Sequence, residues 1–330
     1  MREFHLYGLG NALVDIFIEV SDDQFANLGF ERGSMRLVES EEQHQLLHRF
    51  HDQMPRLVSG GSVANSTIAF SQLGGKAAFL GCVGDDRYGL FYKSEFDQLG
   101  VDIGNPIVVE ETTGTSICLI TPDAERTMRT CLAVSSHLAE QHVDETRMKA
   151  SEWLFIEGYV FANPETGQSA IRRAIQIARK HGVKIALTCS EAFIVNVFGD
   201  PFFEALSQAD LLFCNASEAC AATGSSTAEE AFAFLSQKVP SAVVTDGPNG
   251  AFVRHGGIAT HVPAFPCEPV DLTGAGDMLA GAFLYGITHG VSPERATRAA
   301  CYLAMKVITQ VGARLHHGTR SYWEEALALA

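Results

Sequence analysis

At 330 residues the chain is long enough for a large buried core, and 46% hydrophobic against 19% charged residues excludes a mostly disordered polypeptide. Its 24 Lys and Arg face 39 Asp and Glu, a formal net charge of -15 with no long basic run, which argues against nucleic acid or an anionic membrane as a partner. The opening MREFHLYGLG lacks a charged region leading into a long apolar one, and no uninterrupted apolar stretch of about 18 residues occurs, so the expectation is a cytoplasmic protein without a membrane segment.

Up to about residue 130 the chain reads as short β-rich segments, FHLYGLG (4–10), VDIFIEV (14–20), SMRLVE (34–39), PIVVEE (106–111) and TSICLITP (115–122), around one helical region near 62–100. From about 151 the pattern changes to β-α-β units. WLFIEGYV (153–160) is a buried strand. A helix follows near 165–180, carrying Ile171, Ile175 and Ala178 at helical spacing, with Gly182 as its C-cap. VKIALTC (183–189), ADLLFC (209–214) and SAVVTD (241–246) are further strands, and 300–312 reads as a helix. The fold class is therefore α/β with a mainly parallel central sheet. A single domain over 1–330 is expected, carrying a discontinuous β-rich lid drawn from about 13–40 and 105–132. The eight cysteines form no CxxC pair and read as reduced, mostly buried thiols.

Four stretches carry chemistry. GLGNALVDI (8–16) opens as G-x-G after a strand, but Leu13 fills the third glycine position of a dinucleotide fingerprint and the chain continues as a strand, so dinucleotide binding fails there. In GGSVANS (60–66), Gly60 and Gly61 permit close backbone approach, Ser62 is placed to cap a helix, and Asn65 offers both a donor and an acceptor. NASE (215–218) follows a strand and sets Asn215 and Glu218 on one helix face, either as oxygen ligands for a hard cation or as a capping box. In DLTGAGDMLAGAF (271–283), Gly274, Ala275 and Gly276 precede an apolar helical pattern. Their free amides and the helix dipole favour an anion, with Asp277 in the first turn beside it. A carboxylate there suits phosphoryl transfer as the proton acceptor; the plainer alternative is an acid that merely favours a helix start.

DLTGAGDMLAGAF, together with GGSVANSTIAFSQLGGKAAFLGCVGDDRYG (60–89) some 190 residues upstream, resembles the two signatures of the ribokinase (PfkB-type) carbohydrate kinase family. The resemblance implies a ribokinase-like three-layer α/β/α sandwich with a small β-sheet lid and an ATP-dependent phosphotransferase with Mg²⁺. It implies Asp277 as base and Gly274, Ala275 and Gly276 as anion hole. It further implies Gly60, Gly61 and Asn65 at the acceptor, Asn215 and Glu218 at the metal, and Thr245, Gly247 and Gly250 of VVTDGPNGAF (243–252), with Asn215, Gly274 and Gly276, at ATP. A potassium site near Asp271 and Thr273 and an adenine border at His316 are family-level implications. G-x-G-N-x-x-x-D at 8–15 is similar to the adenosine-kinase branch. By that likeness Asp15 grips two ribose hydroxyls, Asn11 borders the nucleoside, and Met35, Cys118, Leu132 and Arg126 belong to the lid. The acceptor stays open between a nucleoside and a free sugar such as ribose or fructose, and a non-catalytic binding protein of the same fold stands as the rival. A monomer or homodimer is expected.

Overall fold

The computed structural model describes residues 2–104, 106–123 and 125–329. Its main sheet runs, edge to edge, Ile258–Val262, Ala251–His255, Ser241–Thr245, Leu211–Asn215, Lys184–Thr188, Ser151–Ile156, Phe4–Leu9, Ala77–Leu80 and Val101–Ile103. Neighbours are parallel except at the Ser241–Thr245 end, where the last two strands join antiparallel. Side chains alternate across this sheet, so both faces are covered. Leu6, Trp153 and Phe155 enter one core with the helices Ser62–Gln72, Ala275–Thr288 and Pro293–Ile308. Tyr7, Leu9, Leu154 and Ile156 enter the other with Gly167–His181, Gly199–Leu206 and Ala228–Lys238. The result is the expected α/β/α sandwich. Gly182 ends its helix at φ 63°, as a left-handed C-cap.

Three strands of this sheet come from the N-terminal part, all outside the expected lid spans 13–40 and 105–132. Phe4–Leu9 pairs with Ser151–Ile156 and Ala77–Leu80, inside the sheet and third from its Val101–Ile103 edge. The region near 62–100 is two helices, Ser62–Gln72 and Arg87–Gln98, with the strand Ala77–Leu80 between them. Four buried residues are too short a run for periodicity to separate strand from helix. The C-terminal helix expected over 300–312 is Pro293–Ile308, with proline in its first turn.

A second, five-stranded sheet has the order Met35–Leu37, Arg126–Cys131, Gly114–Ile120, Leu13–Glu19, Arg56–Gly60. It extends the expected 13–40 and 105–132 by the strand 56–60; residues 105 and 124 lie outside the described residues. Ile107–Val108 pairs instead with Val83–Gly84. One face of the small sheet, Val14, Ile16, Ile117 and Leu119, is fully buried. On the other face two rows cross the strands, Asp15, Ser116, Thr130, Leu37 and Phe17, Cys118, Met128, Met35. Among the described residues, no helix is long and apolar enough to cross a membrane.

Two helices converge because of one glycine. A Cβ on Gly281 would stand 2.3 Å from the Ser66 carbonyl oxygen, so the helices 275–288 and 62–72 touch backbone to side. That contact brings their N-terminal ends together.

Candidate active site

At this junction Ser62 Oγ donates to Asp277 Oδ1 at 2.6 Å and Asn65 Nδ2 donates to Oδ2 at 2.9 Å, joining positions more than 200 residues apart. Ser62 was expected to cap its helix. The cap is Gly61, at φ 109°, where a Cβ would meet the Asn11 carbonyl at 2.1 Å; Ser62 is the first helical residue, and its hydroxyl turns to Asp277. Asp277 lies in the first turn of its helix behind the left-handed N-cap Gly274, where amides have no acceptor within the helix. Burial raises its carboxyl to about 6 against the opposing pull of the Ser62 and Asn65 hydrogen bonds and the Arg314 charge. Such a group is mostly ionised above neutrality and can take up a proton without leaving the physiological range.

A cleft opens from Asp277 along the carboxyl ends of the central strands. Ser62, Phe155, Thr188, Asn215, Glu218, Thr245 and Gly276 line it, so Asn215, Glu218, Thr245 and Gly276 gather where the motifs placed them. Gly247 and Gly250 form the turn behind Thr245 and are absent from that lining; Gly250 allows the Val262 carbonyl to approach. Asn215 and Glu218 make a complete capping box: Glu218 Oε2 accepts from the Asn215 amide at 3.0 Å and Oε1 from Asn215 Nδ2 at 2.7 Å, while Asn215 Oδ1 accepts from the Glu218 amide. The capping-box reading of NASE is therefore the observed one, and both residues also line the cleft. No cluster of three or more His, Cys, Asp or Glu able to hold a metal occurs among the described residues.

On the other side of Asn65, Asp15 faces a second cavity shared with Phe17, Arg56, Glu95, Arg314 and His316. His316, expected beside the adenine, thus sits on the Asp15 side. The Asp15 carboxylate receives no protein hydrogen bond among the described residues. Burial raises it to about 6 against the charges of Arg314 and Arg126. Met35 and Cys118 lie on the same sheet face as Asp15, Met35 half exposed at the edge and Cys118 buried. Leu132 closes that end of the sheet, leading into the turn 133–137. Arg126 Nη2 lies 2.8 Å from Asp271 Oδ2, in a pair close in distance though without hydrogen-bond alignment, and its Nη1 reaches Thr273 Oγ1 at 3.3 Å. The Arg126 guanidinium thus pairs with Asp271 and reaches Thr273, the two residues near which a potassium site is implied.

Two residues of this region carried no sequence signal. Glu157, 1% exposed, accepts from Asn11 Nδ2 at 2.9 Å, from the Asn11 amide and from the Val63 amide, and so holds Asn11 and the tip of the 62–72 helix in place. Burial pushes its carboxyl up to about 7 despite these bonds. Arg314, 9% exposed, donates from Nε to Asn65 Oδ1 at 2.9 Å and from Nη2 to Ser59 Oγ at 3.0 Å. A Glu at a strand end and an Arg in a loop have no local pattern; only an alignment or a structure singles them out.

Residues 35–318 match the model of the pfkB family carbohydrate kinases. The chain belongs to that family. A ribokinase of Haemophilus influenzae is 30% identical over 274 residues, covering 80% of this chain and 86% of that protein. Among solved structures, an adenosine kinase from Sinorhizobium meliloti superposes with a TM-score of 0.88 at 30% identity, covering 98% of this chain and 99% of the other. A probable sugar kinase from Rhizobium etli superposes at 0.89, also 30% identical, covering 99% of each chain. The pfkB kinase is thus a carbohydrate or nucleoside kinase with a ribokinase-like fold, and ATP is the donor its family uses.

Proposed function

We propose that this kinase transfers the γ-phosphoryl group of ATP to the hydroxymethyl group of an adenosine-like nucleoside, with Asp277 as general base. The carrying observation is the Ser62–Asp277–Asn65 linkage at the tip of the 275–288 helix. It sets one carboxylate beside first-turn amides, at the boundary between the cleft of Asn215 and Thr245 and the surroundings of Asp15. In this reading Asp277 takes the hydroxymethyl proton as the oxygen attacks the γ-phosphorus. The bond from that phosphorus to the bridging oxygen breaks, and ADP leaves with its electron pair. The amides of Gly274, Ala275 and Gly276 hold the charge of the moving group. ATP occupies the cleft by Thr245, with Gly247 and Gly250 shaping its wall. Asn215 and Glu218 would hold Mg²⁺, which would neutralise phosphate charge. Asp15, with Asn65, Gly60 and Gly61, orients the acceptor, and Asn11 borders it. The small sheet serves as a lid whose closure excludes water, bringing Met35, Cys118, Leu132 and Arg126 over the acceptor.

The likeness to the Sinorhizobium meliloti adenosine kinase favours a nucleoside, and Met35, half exposed at the edge of the small sheet, offers a base an apolar contact that a bare sugar would not use. The ribokinase relative supports the second reading, a free sugar such as ribose or fructose. One assay separates them: ATP consumption with adenosine, inosine, guanosine, ribose and fructose. Adenosine should give a kcat/KM at least about tenfold above either sugar, from the extra apolar contact. A sugar preferred over every nucleoside would overturn the acceptor assignment, and no turnover with any of them would favour a binding protein.

A further inference from the structure

Arg314 sits in the loop after the 293–308 helix, buried within the structure instead of extending into solvent. Three observations bear on its role. Its Nε donates to Asn65 Oδ1, which obliges the amide of Asn65 to present its NH₂ group to Asp277 Oδ2. With that oxygen unclaimed, the amide of Asn65 would be as free to turn its carbonyl toward the carboxylate, where it would repel it. Its Nη2 is held by Ser59 Oγ, and Nη1 lies 3.8 Å from Glu95 Oε2, itself fixed by the Ser59 amide, so the fork has one orientation. Its cation also stands among carboxylates that face Asp277 or Arg314 from the surrounding elements: Asp15 from the small sheet, where Arg126 also acts on it, Glu95 from the 87–98 helix, Glu157 at the end of the 151–156 strand and Glu218 from the 216–223 helix. The hydroxyls of Tyr92 and Tyr159 complete that surround.

We infer that Arg314 is a positioning residue for the reaction: it fixes the Asn65 amide in the one orientation that binds Asp277, and it brings a buried cation to Asp277 and its neighbouring carboxylates. The inference rests on Asp277 being the base. Burial of several acids around one reaction centre would otherwise favour their protonated forms, and a protonated Asp277 cannot take the hydroxyl proton. The Arg314 charge opposes that drift, and the hydrogen-bonded relay keeps the carboxylate aimed.

The test uses the full chain with Arg314→Met, which removes charge and fork, and Arg314→Lys, which keeps charge only. The titration of Asp277 is read by carbon-13 carboxyl resonances without substrate, and kcat is read with ATP and adenosine. In Arg314→Met the Asp277 titration should move to higher pH by about tenfold in proton concentration, with kcat down roughly tenfold or more and ATP affinity unchanged within about threefold. In Arg314→Lys the titration should stay close to that of the parent while kcat falls several-fold. An unmoved titration in Arg314→Met overturns the inference. Should that variant not fold, Arg314→Lys decides alone: a parental kcat overturns it, and a lowered kcat with parental titration and ATP affinity supports it. Because the titration needs no turnover, a failure of Arg314 to act is distinguishable from a failure of Asp277 as base, which the titration leaves untouched and Asp277→Asn exposes.

Discussion

Asp277→Asn should lower kcat by at least about two orders of magnitude while the Kd for ATP stays within about threefold, measured by steady-state kinetics and calorimetry. Asparagine keeps the size of the side chain and can still accept from either Ser62 or Asn65, so the helix junction survives. What it loses is a site for the hydroxyl proton. The same group sets a pH dependence. Asp277 and Asp15 are both raised by burial to about 6. A carboxyl so raised binds its proton at higher pH than an exposed one, so activity is full above that region and is lost as the pH falls through it. With base and clamp protonating together, log(kcat/KM) should fall with a slope approaching two below about pH 5.

Asp15→Ala should lower kcat/KM for the acceptor by about 10²-fold or more, again with ATP affinity retained. The carboxylate has no protein hydrogen bond among the described residues to lose, so its removal leaves no donor stranded within the chain. Two charge-assisted hydrogen bonds to vicinal hydroxyls are lost instead, each worth about 1.5–3 kcal/mol, and with them the orientation of the primary hydroxyl. In this variant the acidic limb should become shallower by about one unit of slope, because Asp15 no longer titrates beside Asp277. A fall confined to the ATP KM would place Asp15 on the wrong side of the reaction centre.

The chemistry of this site was largely written in local sequence, and its support was not. DLTGAGD and GGSVANS each announce a glycine turn entering a helix, while the roles proposed for their residues come from the family resemblance. That the two meet at Asp277 depends on Gly281 packing on Ser66, a contact between helices that no window spanning one of them contains. Glu157 and Arg314 lie further from local pattern still. Each is a single charged residue whose meaning comes from burial beside Asn11 or Asn65, and sequence alone assigns a charged residue to the surface. The strand Ala77–Leu80 was absorbed into a helical reading for a related reason. Its four apolar residues take strand form because the parallel neighbours Phe4–Leu9 and Val101–Ile103 pair with it, and pairing is a tertiary fact.

A crystal structure of the complex with Mg²⁺, adenosine and a non-hydrolysable ATP analogue bears most directly on the shared reaction centre at Asp277. The account predicts the terminal phosphate over the Gly274–Gly276 amides, and the acceptor hydroxymethyl oxygen within about 3 Å of an Asp277 carboxylate oxygen on a line toward the terminal phosphorus. A terminal phosphate seated away from that helix tip, or a hydroxymethyl group turned from Asp277 with the lid closed, would contradict it.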